Sequence, residues 1–211
     1  SLSRSSGENV GNYAINVGTL ANSNYSITYT SANFAITARP INITANAGQT
    51  KIYGEANPAN YTYAVEAAGT NRGLVGSDTF SGALTRASGE NVGSTYAINI
   101  GTLANSNYSI TYTSANFAIT ARPINITANA GQTKIYGEAN PANYTYAVEA
   151  AGTNRGLVGS DTFSGALTRA SGENVGSTYA ITQGTLANSN YSITYTSVSY
   201  THLTLPTNRE V

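Results

Sequence analysis

The feature that most limits how this chain can fold is that it copies itself. Arg39-Pro40-Ile41 recurs as Arg122-Pro123-Ile124, a shift of 122 − 39 = 83 residues. Glu55 recurs as Glu138 and Glu90 as Glu173 at the same shift. Laying residues 31–113 over residues 114–196 leaves two differences, Asn99 against Thr182 and Ile100 against Gln183. An earlier, incomplete copy runs from Ser1, with GENVGNYAINVGTL where GENVGSTYAINIGTL stands later. Self-similarity at a fixed period marks an array of like units, not one fold of 211 residues. The expected organisation is a partial repeat over 1–38, a complete repeat over 39–121, and a repeat over 122–197 that lacks its final strand. Residues 198–211 form a tail.

A unit of that size buries only somewhat more than about 60% of its unfolded surface, so its own core leaves a thin margin. Small secreted domains often add disulfides, but this chain has no cysteine. Thiolate metal sites, cysteine nucleophiles and redox switching are excluded with it. Support must come from each core and from the neighbouring repeats, which are the expected partners. Charged residues make up 9% of the chain, ten basic against ten acidic. Such sparse charge argues against a nucleic-acid or anionic-membrane partner, both of which need clustered Lys and Arg. No apolar run approaches the roughly 20 residues of a membrane span, so no membrane insertion is expected in this segment. The chain starts in mid-repeat with no methionine, and the expectation is that its natural ends lie elsewhere.

Within one copy the apolar residues alternate. Ile41, Ile43 and Ala45 share one face, as do Tyr61, Tyr63 and Val65, then Phe80 and Leu84, then Tyr96, Ile98 and Ile100, then Tyr108, Ile110 and Tyr112. Period-two patterns in Tyr, Ile, Val, Phe and Thr are the signature of half-buried strands. Between them stand Tyr53-Gly54-Glu55-Ala56-Asn57-Pro58, Gly69-Thr70-Asn71-Arg72-Gly73, Gly76-Ser77-Asp78 and Ser88-Gly89-Glu90-Asn91. These supply turn residues. The fold class expected is all-β, a tandem array of small β-sandwich-like domains with about six or seven short strands each. Phe117 and Ile119 share one parity and Ile124 and Ile126 the other, with Arg122-Pro123 between. Proline cannot donate to a continuing ladder, so one strand ends there and the next unit begins almost without a linker. Short links of this kind predict a stiff rod, each unit adding on the order of 30–40 Å.

Candidate chemistry is sparse. Each full repeat carries Glu55, Glu66, Asp78 and Glu90 or their copies. A glycosidase pair needs two carboxylates about 5–9.5 Å apart in a cleft, and calcium needs several clustered oxygens. One aspartate per repeat, Asp78 or Asp161, argues against calcium, and carboxylates at Gly-Glu and Ser-Asp turns are ordinary turn chemistry. No catalytic, cofactor-binding or metal residue is assigned. Tyrosine is abundant, 16 against four Phe and no Trp. A glycan-stacking face would look like this, but Tyr61, Tyr63, Tyr96, Tyr108 and Tyr112 share parity with Ile and Val, which favours core and cross-strand packing. Tyr53 and Tyr25 have no partner that alternation can place. Lys51 and Lys134 raise an internal Lys–Asn isopeptide bond, but alternation sets Lys51 opposite Ile52 and hence outward. Asn42, Asn60 and Asn107 head Asn-x-Ser/Thr triplets and read as surface polar residues.

ITARPINITANAGQTKIYGEANPANYTYAV, GLVGSDTFSGALTRASGENVGSTYAITQGTL and NYSITYT together resemble the MBG-type repeat, "mostly β, glycine-rich", over Ser1 to Ser197. The resemblance rests on the Lys51–Pro58, Gly73–Asp78 and Gly89–Gly93 blocks falling in order at domain spacing. It implies tandem units of large bacterial surface or secreted proteins, including filamentous-haemagglutinin-like adhesins, and no enzyme. The function expected from it is a structural stalk or spacer segment of an extracellular or cell-surface adhesin. The alternative is a low-affinity module that binds host or matrix glycans and gains avidity from its copies.

The copying fails at Val198, where NYSITYTSANFAITARP gives way to NYSITYTSVSYTHLTLP. Residues 198–207 back-translate into the mosaic-end adapter of transposase-based sequencing libraries, so 198–211 are read as translated adapter. His202, the one histidine, lies there and is given no role. Tyr200 falls where Phe117 would, and the tail is expected to pair as a makeshift strand with poorer packing than the middle copy.

Overall fold

The computed structural model describes residues 1–202. Every strand in it is short, and no helix occurs among the described residues. The first, partial repeat contributes β1 (Ser3–Arg4), β2 (Gly11–Asn16) and β3 (Ala32–Ile36), an antiparallel meander. The second contributes β4 (Arg39–Ala45), β5 (Thr50–Ile52), β6 (Tyr63–Val65), β7 (Thr85–Arg86), β8 (Thr95–Asn99), β9 (Tyr108–Thr113) and β10 (Ala115–Thr120). The third follows with β11 (Arg122–Ala128), β12 (Thr133–Lys134), β13 (Tyr146–Val148), β14 (Thr168–Arg169), β15 (Thr178–Thr182), β16 (Tyr191–Thr196) and β17 (Val198–His202).

Alternation does what the sequence requires of it in β4 and β11. Ile41, Ile43 and Ala45 are buried, and so are Ile124, Ile126 and Ala128, with exposed Asn and Thr between. Each of these strands lies central in a three-stranded sheet. β11 pairs antiparallel with β13 and parallel with β16, Arg122 facing Tyr191 and Thr127 facing Thr196. β4 does the same with β6 and β9. A parallel pair needs a long crossover, and the chain between β11 and β16 uses it to supply β12, β14 and β15 to a second sheet, which β17 completes in the order β12-β17-β15-β14. The core lies between the two sheets: Ile126 and Ala128 from one, Ile181 and Tyr200 from the other, with Tyr144, Leu167 and Leu186 closing it from loops.

The DTFSGALT stretch departs from expectation. Apart from Thr85, where β7 begins, it forms no strand, only a lone bridge between Ser81 and Ala104. Gly82 is the cause: its φ is +80°, and a Cβ there would stand 2.1 Å from the Thr102 carbonyl oxygen. That conformation belongs to glycine and interrupts a ladder. Leu84 is nevertheless buried, and Phe80 leans on Tyr108 with ring centroids 5.5 Å apart.

Only Ala121 separates β10 from β11. Pro123 stands within β11 opposite Ser192 and uses its carbonyl to accept the Gly156 N–H at 2.9 Å. The 83-residue period is the unit of copying, but contacts group the chain differently. One compact unit holds Ser1–Gln49, Pro58–Ser88 and Tyr96–Phe117; the other holds Thr50–Asn57, Gly89–Thr95 and the chain from Ala118 onward. Two loops of the second repeat thus pack with the third.

The strand counted as missing from the third repeat is supplied by β17, which pairs antiparallel with β15 and parallel with β12. Lys134 faces His202 in the register in which Lys51 faces Ile119. Tyr200 is fully buried and meets Tyr144 edge-on at 5.8 Å, as Phe117 meets Tyr61 at 5.5 Å. An aromatic at this position suffices to close the core. Packing differs in polarity: the Tyr144 hydroxyl is buried with no hydrogen-bond partner among the described residues, which carries a desolvation cost. The side chain of His202 and residues 203–211 lie outside the described residues.

Candidate functional site

A polar cluster lies where Thr50–Asn57 meets the third repeat, within one compact unit. β5 runs parallel to the end of β10, with Thr50, Lys51 and Ile52 facing Ala118, Ile119 and Thr120. The Tyr53 N–H extends the ladder to the Thr120 carbonyl at 3.0 Å. The chain then turns, Glu55 N–H donating to the Ile52 carbonyl at 3.1 Å, with Gly54 at φ +79°. That turn presents Tyr53, Gly54 and Glu55 as a plug.

The socket is built around Arg122, whose side chain is 5% exposed. Its Nε donates to the Gly156 carbonyl at 2.9 Å, and Nη2 donates to Gly152 at 2.6 Å and Arg155 at 2.8 Å. These bonds fold the Gly152–Gly156 loop of its own repeat around it. Nη1 faces the plug, donating to the Tyr53 carbonyl at 3.1 Å and to Glu55 Oε1 at 2.6 Å. Glu55 Oε1 also accepts the Asn154 N–H at 3.2 Å, a backbone group aimed outward because Asn154 has φ +61°. Beside it, Asp161 Oδ2 accepts two tyrosine hydroxyls, Tyr191 at 2.6 Å and Tyr53 at 3.0 Å. The two rings meet edge-on, centroids 5.6 Å apart. Gly54 lies so close that a Cβ would be 2.4 Å from Val158 Cγ2. A second loop adds to the seat, Val92 N–H donating to Asn190 Oδ1 at 2.9 Å.

Sequence reading misplaced several of these residues. Tyr53-Gly54-Glu55 reads as punctuation, yet it is a ligand for the next repeat. Lys51 was expected outward; its side chain is 7% exposed, with Nζ 2.5 Å from Glu90 Oε2 and 3.0 Å from the Glu55 carbonyl. Alternation distinguishes two strand faces but not which of them another segment covers, and here the Gly89–Thr95 loop covers the lysine's. Asn107 does more than face water: its Oδ1 accepts the Val10 N–H at 2.9 Å, as Asn190 does for Val92. Tyr25 is 73% exposed, whereas its counterparts Tyr108 and Tyr191 are buried. The carboxylates are taken up singly: Glu66 by Arg72 and the Asn42 N–H, Asp78 by Tyr108, Glu90 by Lys51, Glu55 by Arg122. No group of three metal-binding side chains occurs among the described residues.

The family can now be stated. The sequence matches the MBG domain (YGX type) profile over residues 1–35, 41–118 and 124–201. The chain belongs to the MBG domain family. No curated protein matches it, and no solved structure does. The Tyr-Gly-x that marks this MBG type stands here as Tyr53-Gly54-Glu55 and Tyr136-Gly137-Glu138, and the first of these is the plug.

Titration of the MBG joint has a definite sign. Burial, then the hydrogen bond to Asp161, pushes the Tyr191 hydroxyl up from 10.0 to about 12, and the same two causes raise Tyr53. The hydrogen bond from Arg122 holds Glu55 below its ordinary 4.5. A raised tyrosine contributes stability that is fully present below pH 10.0 and lost as pH rises through about 12. A depressed glutamate contributes above 4.5 and ceases to as pH falls through its lowered value. Ultraviolet difference titration should therefore show a late tyrosinate class near pH 12, and Asp161→Asn should move that class to lower pH. An unshifted class would mean that Asp161 does not hold these hydroxyls.

Proposed function

We propose that this chain is a structural spacer segment of a secreted or cell-surface bacterial adhesin, its MBG repeats serving to project a binding region. The observation that carries this reading is the joint itself. A cluster of side-chain and backbone hydrogen bonds seats one repeat's Tyr-Gly-Glu on the next repeat's Arg, Asp and Tyr, which is what a molecule needs to hold reach under load. Repetition then extends length without new contacts, each repeat requiring only its neighbour. The carboxylates that a hydrolase would use are instead held in separate ion pairs and turns, which supports a non-catalytic role.

The test compares chains of two, four and six repeats by small-angle scattering and on a glycan array. A spacer gives a maximum dimension that grows linearly with repeat number and no saturable glycan binding. A maximum dimension that grows as the square root of repeat number would overturn the stiff spacer. Saturable binding that strengthens with copy number would establish the glycan-binding alternative.

A further inference from the structure

Tension along this chain enters the second and third repeats on one strand and leaves on that strand's parallel neighbour. In the second repeat the chain comes in at β4, directly after Ala38, and goes out past β9 through Ser114. In the third it comes in at β11, directly after Ala121, and goes out past β16 through Ser197. β4 and β9 are aligned from Arg39 opposite Tyr108 to Thr44 opposite Thr113. β11 and β16 are aligned in the same way, from Arg122 opposite Tyr191 to Thr127 opposite Thr196. Entry and exit therefore lie at opposite ends of one strand pair. Six aligned pairs put about 20 Å between them along the strands, against about 4.8 Å across. Tension slides the two strands past each other; it does not part them.

The ladder between the strands resists that motion as a whole. Arg122 N–H donates to the Asn190 carbonyl at 3.0 Å, and Arg39 N–H to the Asn107 carbonyl at 2.9 Å. In a parallel pair every second residue turns its backbone groups to the same neighbour, so Ile124 and Ile126 carry the ladder on, as Ile41 and Ile43 do in β4. Pro123 falls on the other edge, where Asn125 N–H donates to Glu149 Oε2 at 2.8 Å. Its missing donor therefore costs the pair with β16 nothing. All four isoleucines are buried, which keeps water off that face and strengthens the bonds. Side chains add to the resistance by tying both strands to one loop segment. Arg122 holds the carbonyls of Gly152, Arg155 and Gly156, while the Tyr191 hydroxyl accepts the Val158 N–H at 2.9 Å and donates to Asp161 at 2.6 Å. In the second repeat Arg39 holds Gly69, Arg72 and Gly73, and Tyr108 is bonded to the Val75 N–H at 3.0 Å and to Asp78 at 2.6 Å. The antiparallel partners β6 and β13 lie off the route from entry to exit.

We infer that the pairs β4–β9 and β11–β16 are mechanical clamps, loaded in shear when the chain is stretched, so that resisting extension is a further function of each repeat. Strands pulled apart from one end lose their bonds one after another, whereas strands slid along each other must lose the aligned bonds together. The clamp is internal to each repeat, complete in both, and needs no neighbouring molecule. Its use in the organism rests on the spacer reading; the clamp itself rests on strand register.

Optical-tweezer pulling in two directions tests it. The chain has no cysteine, so two introduced thiols fix where the handles attach. Handles on Ala38→Cys and Ser114→Cys slide β4 past β9, whereas handles on Ala38→Cys and Ser106→Cys peel the same strands from one end. Ala121→Cys does the same for β11 and β16 when paired with Ser197→Cys or with Ser189→Cys. At one loading rate the sliding pairs should rupture at no less than about twice the force of the peeling pairs, because the whole ladder bears the load together. The full chain held by its two ends, with no internal substitution, should also show ruptures at the sliding force. Equal forces in the two directions, or end-to-end ruptures only at the peeling force, would remove the clamp. The spacer reading is judged separately, by scattering. Equal forces beside a dimension that grows linearly with repeat number would sink the clamp and leave the spacer. A high sliding force beside square-root growth would do the reverse.

Discussion

Arg122→Ala is expected to lower the urea midpoint of unfolding well beyond the shift produced by Arg39→Ala. Both changes strip a guanidinium from the carbonyls of its own loop: Gly152, Arg155 and Gly156 in one case, Gly69, Arg72 and Gly73 in the other. An orphaned buried acceptor costs about 1–3 kcal/mol, and since water reaches part of each loop the common loss should be about 2–3 kcal/mol. Arg122 is also bonded to the Tyr53 carbonyl and Glu55. Releasing the plug uncovers the edge-on pair Tyr53–Tyr191, worth about 0.5–1.5 kcal/mol beyond its buried area. The excess at Arg122 should therefore be about 1–2 kcal/mol on that basis. Arg122→Lys should recover little, because one ammonium cannot reproduce the planar fork that reaches five acceptors. Equal midpoints for the two alanine variants would show that the joint contributes nothing to stability.

The contrast between those two arginines marks what the sequence makes legible and what it does not. Ile41, Ile43 and Ala45, and their copies on β11, are readable because a strand with one covered face must alternate. The same rule misreads DTFSGALT, where Gly82 at positive φ cancels a pattern that Phe80 and Leu84 otherwise keep. The MBG assignment is legible because three blocks recur in order. The joint is not, since its partners lie far apart in the chain: 67 residues separate Glu55 from Arg122 and 108 separate Tyr53 from Asp161. Periodicity reports only on neighbours along a strand. One signal was available: a tyrosine inside a Gly-Glu-Ala-Asn-Pro turn, where turn chemistry has no use for an aromatic ring. Arg122 offered another, a lone arginine between two apolar strands in a chain with few charges.

Gly54 and Gly137 allow the joint to be weighed against backbone strain, because they share a conformation and differ in surroundings. Alanine at either position pays for φ near +80°, about 1–2 kcal/mol for an L-residue in the left-handed region. At Gly137 nothing further is met, since no atom lies within 4 Å of the added carbon. At Gly54 the new methyl would lie 2.4 Å from one Val158 methyl and 3.1 Å from the other. A β-branched side chain has little freedom to turn away, so the plug must back out of its socket or Val158 must leave its rotamer. Overpacking of this kind costs about 1–3 kcal/mol. Gly54→Ala should therefore lower the urea midpoint roughly twice as far as Gly137→Ala, the sum of strain and clash against strain alone. Adding Val158→Ala to Gly54→Ala should restore the clash portion and leave the strain, a coupling that a double-mutant cycle reads directly. If the two glycine variants lose equal stability and Val158→Ala rescues neither, Gly54 does not rest on Val158 in solution. The seat of one MBG repeat on the next would then have to be sought elsewhere.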